Sequence, residues 1–377
     1  MSASETIPAA ETSVRSAIEG HRIHTLPVLV LFPHNRCNCR CVMCDIWRIR
    51  ETREVTAEDL APHVDSFRAL GVCWVVFSGG EPQMHADLAS LSRLLRADGI
   101  RVTLLTAGLL LEPQARLVAE NIDDVIVSLD GPREVHDRIR RIPSAFDRLA
   151  RGVAALRRLR PEIVVRGRST VQKANYSCLR ETVRAAEAIG LNSISFLAVD
   201  VSSEAFNRPQ GWTAKTQSSV ALDSEEVRRL EAEVEAMIEE YADEIAAGYV
   251  VESAEKLRRI ARHFRVHLGE VEPVAPRCNA PWVSAVIEAD GTVRPCFFHR
   301  ALGNIHAKLL PEILNGHEAI EFRRTLDIQT NPICQRCVCS LYYLPPDDVR
   351  QLAGLPHGTA RIFASAVRPR PRPQSVA

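Results

Sequence analysis

The sequence predicts an α/β fold with a parallel sheet, followed by a smaller α+β region. From residue 28 to 200, short apolar runs alternate with amphipathic segments of helical period. Such alternation indicates βαβ units with right-handed crossovers. From residue 278 the pattern changes to a hairpin signal and a group of cysteines. The first region has six βα units, too few for a closed eight-stranded barrel.

The predicted strands are short apolar runs bounded by turn residues. The first, Val28-Leu29-Val30-Leu31-Phe32, is ended by Pro33. Because the carboxyl ends of parallel strands meet at one edge of a sheet, we expect the loops that follow the strands to carry the chemistry. The six predicted strands occupy residues 28–32, 72–77, 102–105, 124–129, 163–171 and 193–198.

The segments between the strands have the end signals of helices. Thr56-Ala57-Glu58-Asp59 has the pattern of a capping box, and Gly71 ends that helix. Ser177 is predicted to cap another helix, which stops at Gly190. These segments supply the helices of the βαβ units.

Beyond the sixth strand the chain predicts a loop, two helices and a hairpin. The polar residues 202–220 are either a lid over the mouth of the first domain or a disordered insertion. Helices are predicted at 224–247 and 253–265, and Asp290-Gly291 marks a hairpin turn. The predicted divisions are a flexible N-terminus at 1–25, a first domain at 26–221, linker helices at 222–275, a second domain at 276–345 and a Pro/Arg-rich tail at 346–377.

Four cysteines lie within eight residues on the loop after the first predicted strand. Cys37, Cys41 and Cys44 form a C-x3-C-x2-C set, and Cys39 is predicted to be a spare. Thiolates are the usual ligands of iron–sulfur clusters, and a cubane needs four ligands. Three ligands therefore leave one iron open to a group that reacts. Zinc binding or a disulfide is the alternative.

Two further motifs follow predicted strands. Ser78-Gly79-Gly80-Glu81-Pro82 follows the second strand, where paired glycines allow close approach of a ligand and Glu81 adds an acceptor for an ammonium group. A plain strand-to-helix turn is the alternative. Arg166 and Arg168 alternate on the fifth strand, so both point to one face. Either arginine pairs with a carboxylate there or serves only the structure.

A second group of cysteines lies in the last third of the chain. Cys278 and Cys296 flank the hairpin, and Cys334 and Cys337 form a C-x2-C pair. Two thiolates from a hairpin and two from a tight turn can converge on one tetrahedral cluster or ion. Cys339 is an alternative to Cys337 as the fourth ligand. A structural four-cysteine zinc site is the alternative to an iron–sulfur cluster.

These motifs resemble the signature of the radical S-adenosylmethionine (SAM) superfamily. The resemblance rests on the stretch from Cys37 to Cys44 and on Gly79-Gly80-Glu81 in register after strand two. It implies a partial (β/α)6 barrel with a [4Fe–4S] cluster, whose open iron chelates the amino and carboxylate groups of SAM. The later cysteines resemble the twitch type of auxiliary domain, a shortened SPASM domain that holds one extra [4Fe–4S] cluster.

The resemblance also implies roles for single residues. The glycine-rich turn would hold the amino group of SAM, and the end of the fourth strand would contact its ribose or carboxylate. Two positions depart from the family pattern: Ala107 replaces an asparagine, and Met43 replaces an aromatic residue against the adenine. By resemblance and strand alternation, the SAM-contacting residues are Gly79, Gly80, Glu81, Thr106, Ser128, Arg168 and Met43.

The implied reaction is reductive cleavage of SAM to a 5′-deoxyadenosyl radical, which abstracts hydrogen from the substrate. An auxiliary cluster near the substrate can accept the remaining electron, which favours net oxidation. Asp200, at the end of strand six, is the candidate for taking a hydroxyl proton. Epimerisation needs a hydrogen donor, for which Cys178 is the candidate; decarboxylation also stays open. The cysteine spacing resembles that of the twitch-containing aminocyclitol dehydrogenase over about 60 residues, a likeness that does not fix the substrate. A sugar, aminocyclitol or nucleoside-like intermediate is the first hypothesis.

Two other classes of function stay open. Relatives with this domain pair often crosslink, oxidise or epimerise ribosomal peptides. Only 27 residues precede the first predicted strand, too few for a leader-binding domain, and this favours a small molecule over a peptide. An iron–sulfur electron carrier is the non-enzyme alternative. The Gly79-Gly80-Glu81 turn argues against it, because a carrier has no use for a SAM site.

Composition narrows the cellular setting. Lysine plus arginine and aspartate plus glutamate both number 47, and a net charge of zero argues against a nucleic-acid-binding surface. No apolar run approaches the length of a membrane span, and the N-terminus lacks a signal-peptide pattern. Clustered cysteines in a reducing cytoplasm indicate metal or redox work. The expected partners are a small-molecule substrate and an external one-electron reductant, such as flavodoxin or ferredoxin.

Overall fold

The structure, a computed structural model, describes residues 14–343. The predicted Pro/Arg-rich tail lies outside the described residues, as do residues 1–13. No helix among the described residues is both long enough and apolar enough to cross a membrane.

The described strands form one nine-stranded sheet in the order β6-β5-β4-β3-β2-β1-β7-β8-β9. Neighbours from β6 through β1 to β7 pair in parallel, and β8 and β9 add antiparallel pairs. The predicted α/β class and parallel barrel sheet are confirmed. The strands are β1 (Val28–His34), β2 (Trp74–Gly79), β3 (Arg101–Thr106), β4 (Asp124–Ser128), β5 (Val164–Val171), β6 (Ser193–Ala198), β7 (Ser284–Ile287), β8 (Thr292–Arg294) and β9 (Gly303–Asn304).

Helices follow the strands and cover the outer face of the sheet. Three short 3-10 helices lie at Ile46–Arg48, Ala61–His63 and Pro82–Met84. The α-helices are α1 (Val14–Gly20), α2 (Ala57–Leu60), α3 (Val64–Ala69), α4 (Leu88–Ala97), α5 (Ala115–Asn121), α6 (Arg133–Arg140), α7 (Ala145–Leu159), α8 (Leu179–Ala188), α9 (Ala214–Ser218), α10 (Ser224–Glu240), α11 (Ala242–Ala247), α12 (Ala254–His267), α13 (Ala280–Val283), α14 (Leu310–Leu314), α15 (His317–Thr325) and α16 (Pro332–Gln335).

The core lies between the outer face of the sheet and the helices. Successive side chains of a strand point to opposite faces, and on β2 the outward pair Val75 and Phe77 is fully buried. Val125 and Val127 repeat the pattern on β4. The inward side chains are less buried, because the inner face of the partial barrel is open to the site.

The segment predicted as linker helices packs directly on the barrel. α10 and α12 bury Leu230, Met237 and Phe264 in the same apolar core as the barrel strands. Beyond β6, Val250 forms an isolated parallel bridge with Ile194 and so extends the edge of the sheet. These helices complete the outer layer, and the predicted single helix at 224–247 is interrupted at Tyr241.

Two local predictions were wrong. Part of the N-terminal segment expected to be loosely ordered forms α1, and Ile23 and Leu26 after it are buried. Ser177 does not cap α8, because the N-cap residue is Cys178, which makes no side-chain capping bond. The preceding turn is held instead by Asn175, whose side-chain oxygen accepts the Gln172 backbone N–H at 2.8 Å.

Candidate functional site

The cysteine loop that follows β1 is anchored by its backbone to the end of α6. The N–H of Arg40 donates to the carbonyl of Arg140 at 3.1 Å, and the N–H of Val42 donates to the carbonyl of Ile139 at 3.0 Å. Cys39 and Cys41 are buried. The half-buried residues Cys37 and Cys44 lie at the two ends of the set. The structure therefore holds the three predicted ligands on one loop at the carboxyl edge of the sheet.

A buried arginine reaches this loop from α6. The Arg140 guanidinium forms an ion pair of 2.6 Å with Asp130, which follows β4. Its other terminal nitrogen lies 3.5 Å from the Cys41 sulfur. Because Asp130 is fully buried, it needs this partner. The pair fixes a positive charge beside the thiol.

A second buried arginine reaches the loop from the other side. Arg208 forms an ion pair of 3.0 Å with Asp200, which follows β6, and donates to the backbone carbonyl of Met43. Its guanidinium lies over the Trp212 ring at 3.7 Å, and the Trp212 indole N–H donates to Asp45 at 2.6 Å. The loop at 202–220, predicted as a lid or a disordered insertion, is thus docked on the cysteine loop.

These charges act on the cysteine thiols. A hydrogen bond with Cys39 and the nearby Arg140 guanidinium hold the pKa of Cys41 below its ordinary value. Burial raises the pKa of Cys44 to about 12, and Arg208 partly offsets that rise. Positive charge beside a thiol favours the thiolate, which is the form that binds iron. The donor set and its surroundings fit an iron–sulfur cluster.

The glycine-rich turn after β2 packs on the start of the cysteine loop. The Gly80 and Glu81 N–H groups donate to the carbonyls of His34 at 3.2 Å and Arg36 at 2.8 Å. A Cβ at Gly80 would lie 2.2 Å from the Arg36 carbonyl oxygen. At Gly79, where φ is +92°, a Cβ would lie 2.6 Å from the Phe32 ring. Both positions therefore require glycine because the turn packs against the protein's own Phe32 and Arg36, and the predicted close approach of a ligand stays a prediction.

Glu81 joins this turn to the end of β3. Its buried carboxylate accepts hydrogen bonds from the Thr106 hydroxyl at 2.8 Å, the Ala107 N–H at 2.9 Å and the Gln83 N–H at 3.2 Å. Burial raises the pKa of Glu81, and these bonds partly offset the rise. Three of about four acceptor sites are thus used. Glu81 and Thr106 fix each other, and their predicted contacts with SAM stay predictions.

A row of polar side chains crosses the inner face of the barrel. Ser128 on β4, Arg168 on β5 and Ser195 on β6 are neighbours in register. Arg168 is exposed and has no ion pair within residues 14–343. Glu252 closes the row, accepting from the Ser195 hydroxyl and the Phe196 N–H, each at 2.8 Å. The row offers one free guanidinium to an anionic group.

The two predicted catalytic residues make structural contacts. Asp200 is buried and holds Arg208, and its carboxylate also accepts from the Ser203 hydroxyl. Cys178 donates to the Asn175 carbonyl at 3.3 Å, and burial raises the pKa of its thiol to about 12. The charges of Glu181 and, less strongly, of Glu233 on α10 raise that pKa further. The catalytic roles of both residues stay predictions.

The five C-terminal cysteines line one cavity. Phe297 and Phe298 form part of its apolar wall, and His299 Nε2 lies 3.4 Å from the Cys334 sulfur. Burial raises the pKa of Cys296 to about 11 and of Cys334 to about 12. Within the described residues, no three His, Cys, Asp or Glu side chains converge closely enough to hold a single metal ion.

Cys337 and Cys339 line the same cavity. Burial raises the pKa of Cys337, and the largest charge acting on it is that of Cys339. Burial raises the pKa of Cys339 to about 11, and the Arg168 guanidinium of the barrel partly offsets that rise. The choice of Cys337 over Cys339 as the fourth ligand stays a prediction.

The fold and the two cysteine groups define an iron–sulfur protein built on a partial (β/α)6 barrel. A model of the radical SAM superfamily matches residues 31–186, and one of the SPASM iron–sulfur cluster-binding domain matches residues 278–338. The chain belongs to the radical SAM superfamily and carries a C-terminal SPASM domain. Its cofactors are accordingly a [4Fe–4S] cluster, SAM and auxiliary iron–sulfur.

Relatives differ in how much of the chain they match. Fe-coproporphyrin III synthase of Methanosarcina barkeri is 35% identical over 131 residues, which are 34% of this chain and only 33% of the synthase. PqqA peptide cyclase of Ruegeria pomeroyi is 25% identical over 293 residues, 74% of this chain and 69% of the cyclase. Streptococcus suis SuiB bound to S-adenosylmethionine aligns with a TM-score of 0.61 at 17% identity, covering 88% of this chain and 77% of SuiB. The SuiB likeness shows the fold alone.

Sequence reasoning missed four polar residues of the site. Arg140 lies in a basic run at the end of α6, a pattern typical of a solvated helix face. Arg208 lies in the polar loop, where only its neighbour Trp212 hints at a packed segment. Ser195 and Glu252 carry no motif; the alternation of β6 would have placed Ser195 on a definite face, but nothing local marks Glu252.

Proposed function

We propose that this chain is an enzyme that reductively cleaves SAM and oxidises a small polar substrate, such as a sugar, an aminocyclitol or a nucleoside-like compound, in a reducing cytoplasm. When bound, the clusters and SAM supply a 5′-deoxyadenosyl radical for hydrogen abstraction and an acceptor for the electron left on the substrate. The observation that carries the proposal is the docking of the three-cysteine loop on the Gly79-Gly80-Glu81 turn at the barrel edge.

The chain's own residues hold and orient the cofactor. Cys37, Cys41 and Cys44 hold the first cluster. The row of Ser128 and Arg168 binds the carboxylate of SAM, because a serine hydroxyl and a free guanidinium beside it can donate to both oxygens. Positioning of this kind and exclusion of water are the contributions that the protein makes to radical chemistry.

Glu252 is the better-placed proton acceptor on the inner face. The sequence favoured Asp200, but that carboxylate is held by Arg208. Glu252 lies beside Ser195 on the same row as Arg168, and burial raises its pKa, which makes the carboxylate a stronger base. In the proposed oxidation Glu252 accepts the hydroxyl proton of the substrate.

Peptide modification is the second candidate. Its support is the likeness to PqqA peptide cyclase, which is 25% identical to this chain over 74% of its length. The two candidate functions can be distinguished by which compound stimulates 5′-deoxyadenosine formation. Stimulation by a short peptide and not by aminocyclitols or sugars would favour peptide modification.

The test is SAM cleavage by anaerobically reconstituted, dithionite-reduced protein, measured as 5′-deoxyadenosine. We expect about eight irons per chain for two cubanes. Cys41→Ser is expected to lower 5′-deoxyadenosine formation by at least about a hundredfold, because the open cluster loses a ligand. Cys73→Ser is the matched control, since Cys73 lies outside both groups and contacts the Pro27 carbonyl. Intact SAM with the fully loaded wild type would refute the proposal.

A further inference from the structure

An open groove of about 870 Å³ runs beside the cysteine loop. None of the inner-face residues Ser128, Arg168 and Ser195 lines it. Its lining combines four arginines, three apolar side chains, Asn38 and one predicted cluster ligand. These residues are Arg36, Arg40, Arg48 and Arg50, then Trp47, Ile49 and Met84, and Cys37.

The groove concentrates positive charge on a chain whose net charge is zero. All four arginines are exposed. Arg48 pairs with Asp45 at 2.8 Å. In the described part of the chain, Arg36, Arg40 and Arg50 form no ion pair. A concave surface with unpaired like charges focuses the field and attracts a partner of opposite sign.

The groove also touches the redox centre. Cys37 is half-buried in its wall, whereas Cys39 and Cys41 are buried. A carrier seated in the groove would therefore have the predicted ligand Cys37 as its contact to the cluster. Electron transfer between proteins requires such close approach of the two redox groups.

The apolar residues complete a surface suited to brief encounters. Trp47, Ile49 and Met84 are partly exposed within the ring of arginines. Transient redox complexes bury small interfaces with a polar rim, and complementary charge raises their association rate more than their affinity. An apolar floor with a basic rim fits an acidic protein partner.

We propose that this groove docks an acidic one-electron carrier protein of the flavodoxin class, which reduces the cluster through the wall at Cys37. The proposal rests on the proposed function, which requires that electron. One electron leaves the carrier and enters the cluster, and no atom or proton is transferred. An acidic peptide substrate is the competing occupant. The carrier is favoured because the groove contacts Cys37 and none of the polar row that faces the substrate.

The test compares two reductants on one charge-reversal variant. Arg48→Glu/Arg50→Glu reverses two groove charges outside the cysteine set. Arg93→Glu/Arg116→Glu is the matched control, with two exposed arginines on α4 and α5. With reduced flavodoxin we expect the groove variant to form 5′-deoxyadenosine roughly tenfold more slowly than wild type at low salt. With dithionite both variants should match wild type, because a small reductant needs no docking surface.

Salt and direct binding give two further readouts. Shortening the Debye length from about 10 Å to about 3 Å should slow the flavodoxin reaction of wild type and leave the groove variant little changed. The groove variant should also bind oxidised flavodoxin more weakly than the Arg93→Glu/Arg116→Glu control. This binding measurement does not depend on turnover.

Three outcomes would overturn the docking site. The first is an equal rate of 5′-deoxyadenosine formation with flavodoxin in the groove variant and wild type. The second is an equal loss of that rate in the groove variant and the control. The third is a loss of rate in the groove variant that persists with dithionite, which would assign the groove to SAM or a peptide. If wild type forms no 5′-deoxyadenosine with either reductant, yet flavodoxin binding still depends on Arg48 and Arg50, the proposed function fails and the docking site stands.

Discussion

The two cysteine sites of this molecule are built on opposite principles. The N-terminal set lies on one short loop, held between two buried ion pairs, Asp130–Arg140 and Asp200–Arg208. The C-terminal set comes from separate segments around an apolar cavity. Aromatic contacts surround that cavity: Phe297 stacks on Phe32 with centroids 5.9 Å apart.

The difference fits the proposed roles of the two sites. A cluster with three protein ligands must keep one position open, so its loop needs rigid support that leaves that position free. Charged pairs reaching in from α6 and from the loop after β6 give that support. A cluster enclosed by four cysteines needs only burial and geometry. The apolar wall of the second site supplies both.

The largest expected effect that distinguishes the two sites is the removal of the cluster from the second one. Cys278→Ala/Cys296→Ala is expected to lower the iron content from about eight to about four per chain. SAM cleavage should persist at a substantial fraction of the wild-type rate, because the first loop is untouched. Substrate oxidation should fall to the background rate, because the electron acceptor is gone. The measurements are iron analysis, 5′-deoxyadenosine and oxidised product.

Loss of SAM cleavage together with the second cluster would contradict the independence of the two sites, since they would then depend on each other for folding. Near-UV circular dichroism of the same preparation reports whether the barrel is intact.

The next prediction concerns the stability that the ion pairs give to the first site. Arg140→Met leaves Asp130 buried and unpaired, which should lower the free energy of unfolding by about 3–5 kcal/mol. Arg140→Met/Asp130→Asn should recover much of this loss. The matched control is Arg294→Met at the second site, where the pair with Glu288 at 2.9 Å is partly exposed and worth about 1 kcal/mol or less. Urea unfolding measures all three variants, and equal losses for Arg140→Met and Arg294→Met would contradict the assignment.

Local patterns in the sequence were enough to predict most of the barrel. The six predicted strands match β1 to β6 within about two residues at each end. They could be predicted because apolar runs and turn residues are features of consecutive residues in the sequence. The pairing of β7 with β1 was not predicted. This pairing joins Val28 to Ser284, which are 256 positions apart. The local periodicity of a sequence does not predict which distant strand pairs with an exposed sheet edge.

The site divides in the same way. The cysteine sets and Gly79-Gly80-Glu81 were predicted because each is a compact motif with a chemical reason. Arg140 contacts Cys41 across 99 positions, and Arg208 contacts Met43 across 165. Their roles arise only when a helix end and a loop are brought to the cysteine loop by the fold, so composition and spacing give no signal for them.

The smallest expected effect is an acid sensitivity located at the first site. Burial lowers the pKa of His136 to about 4, and its Nδ1 accepts the Asp130 N–H at 3.2 Å, a bond that protonation would remove. Because the folded pKa lies below the unfolded value, the unfolded state binds the proton first. Stability is therefore complete above the unfolded pKa and falls as pH decreases through it.

As the pH falls from neutral to about 5.5, the His136 imidazole should lower the free energy of unfolding of the wild type by about 1 kcal/mol. His136→Gln should reduce the pH slope by that amount. The exposed His317→Gln on α15 serves as the control and should keep the wild-type slope. Urea unfolding at the two pH values measures the difference. An unchanged slope in His136→Gln would mean that acid sensitivity arises elsewhere, for instance at the half-buried His263 beside the second ion pair, whose pKa burial also lowers to about 4.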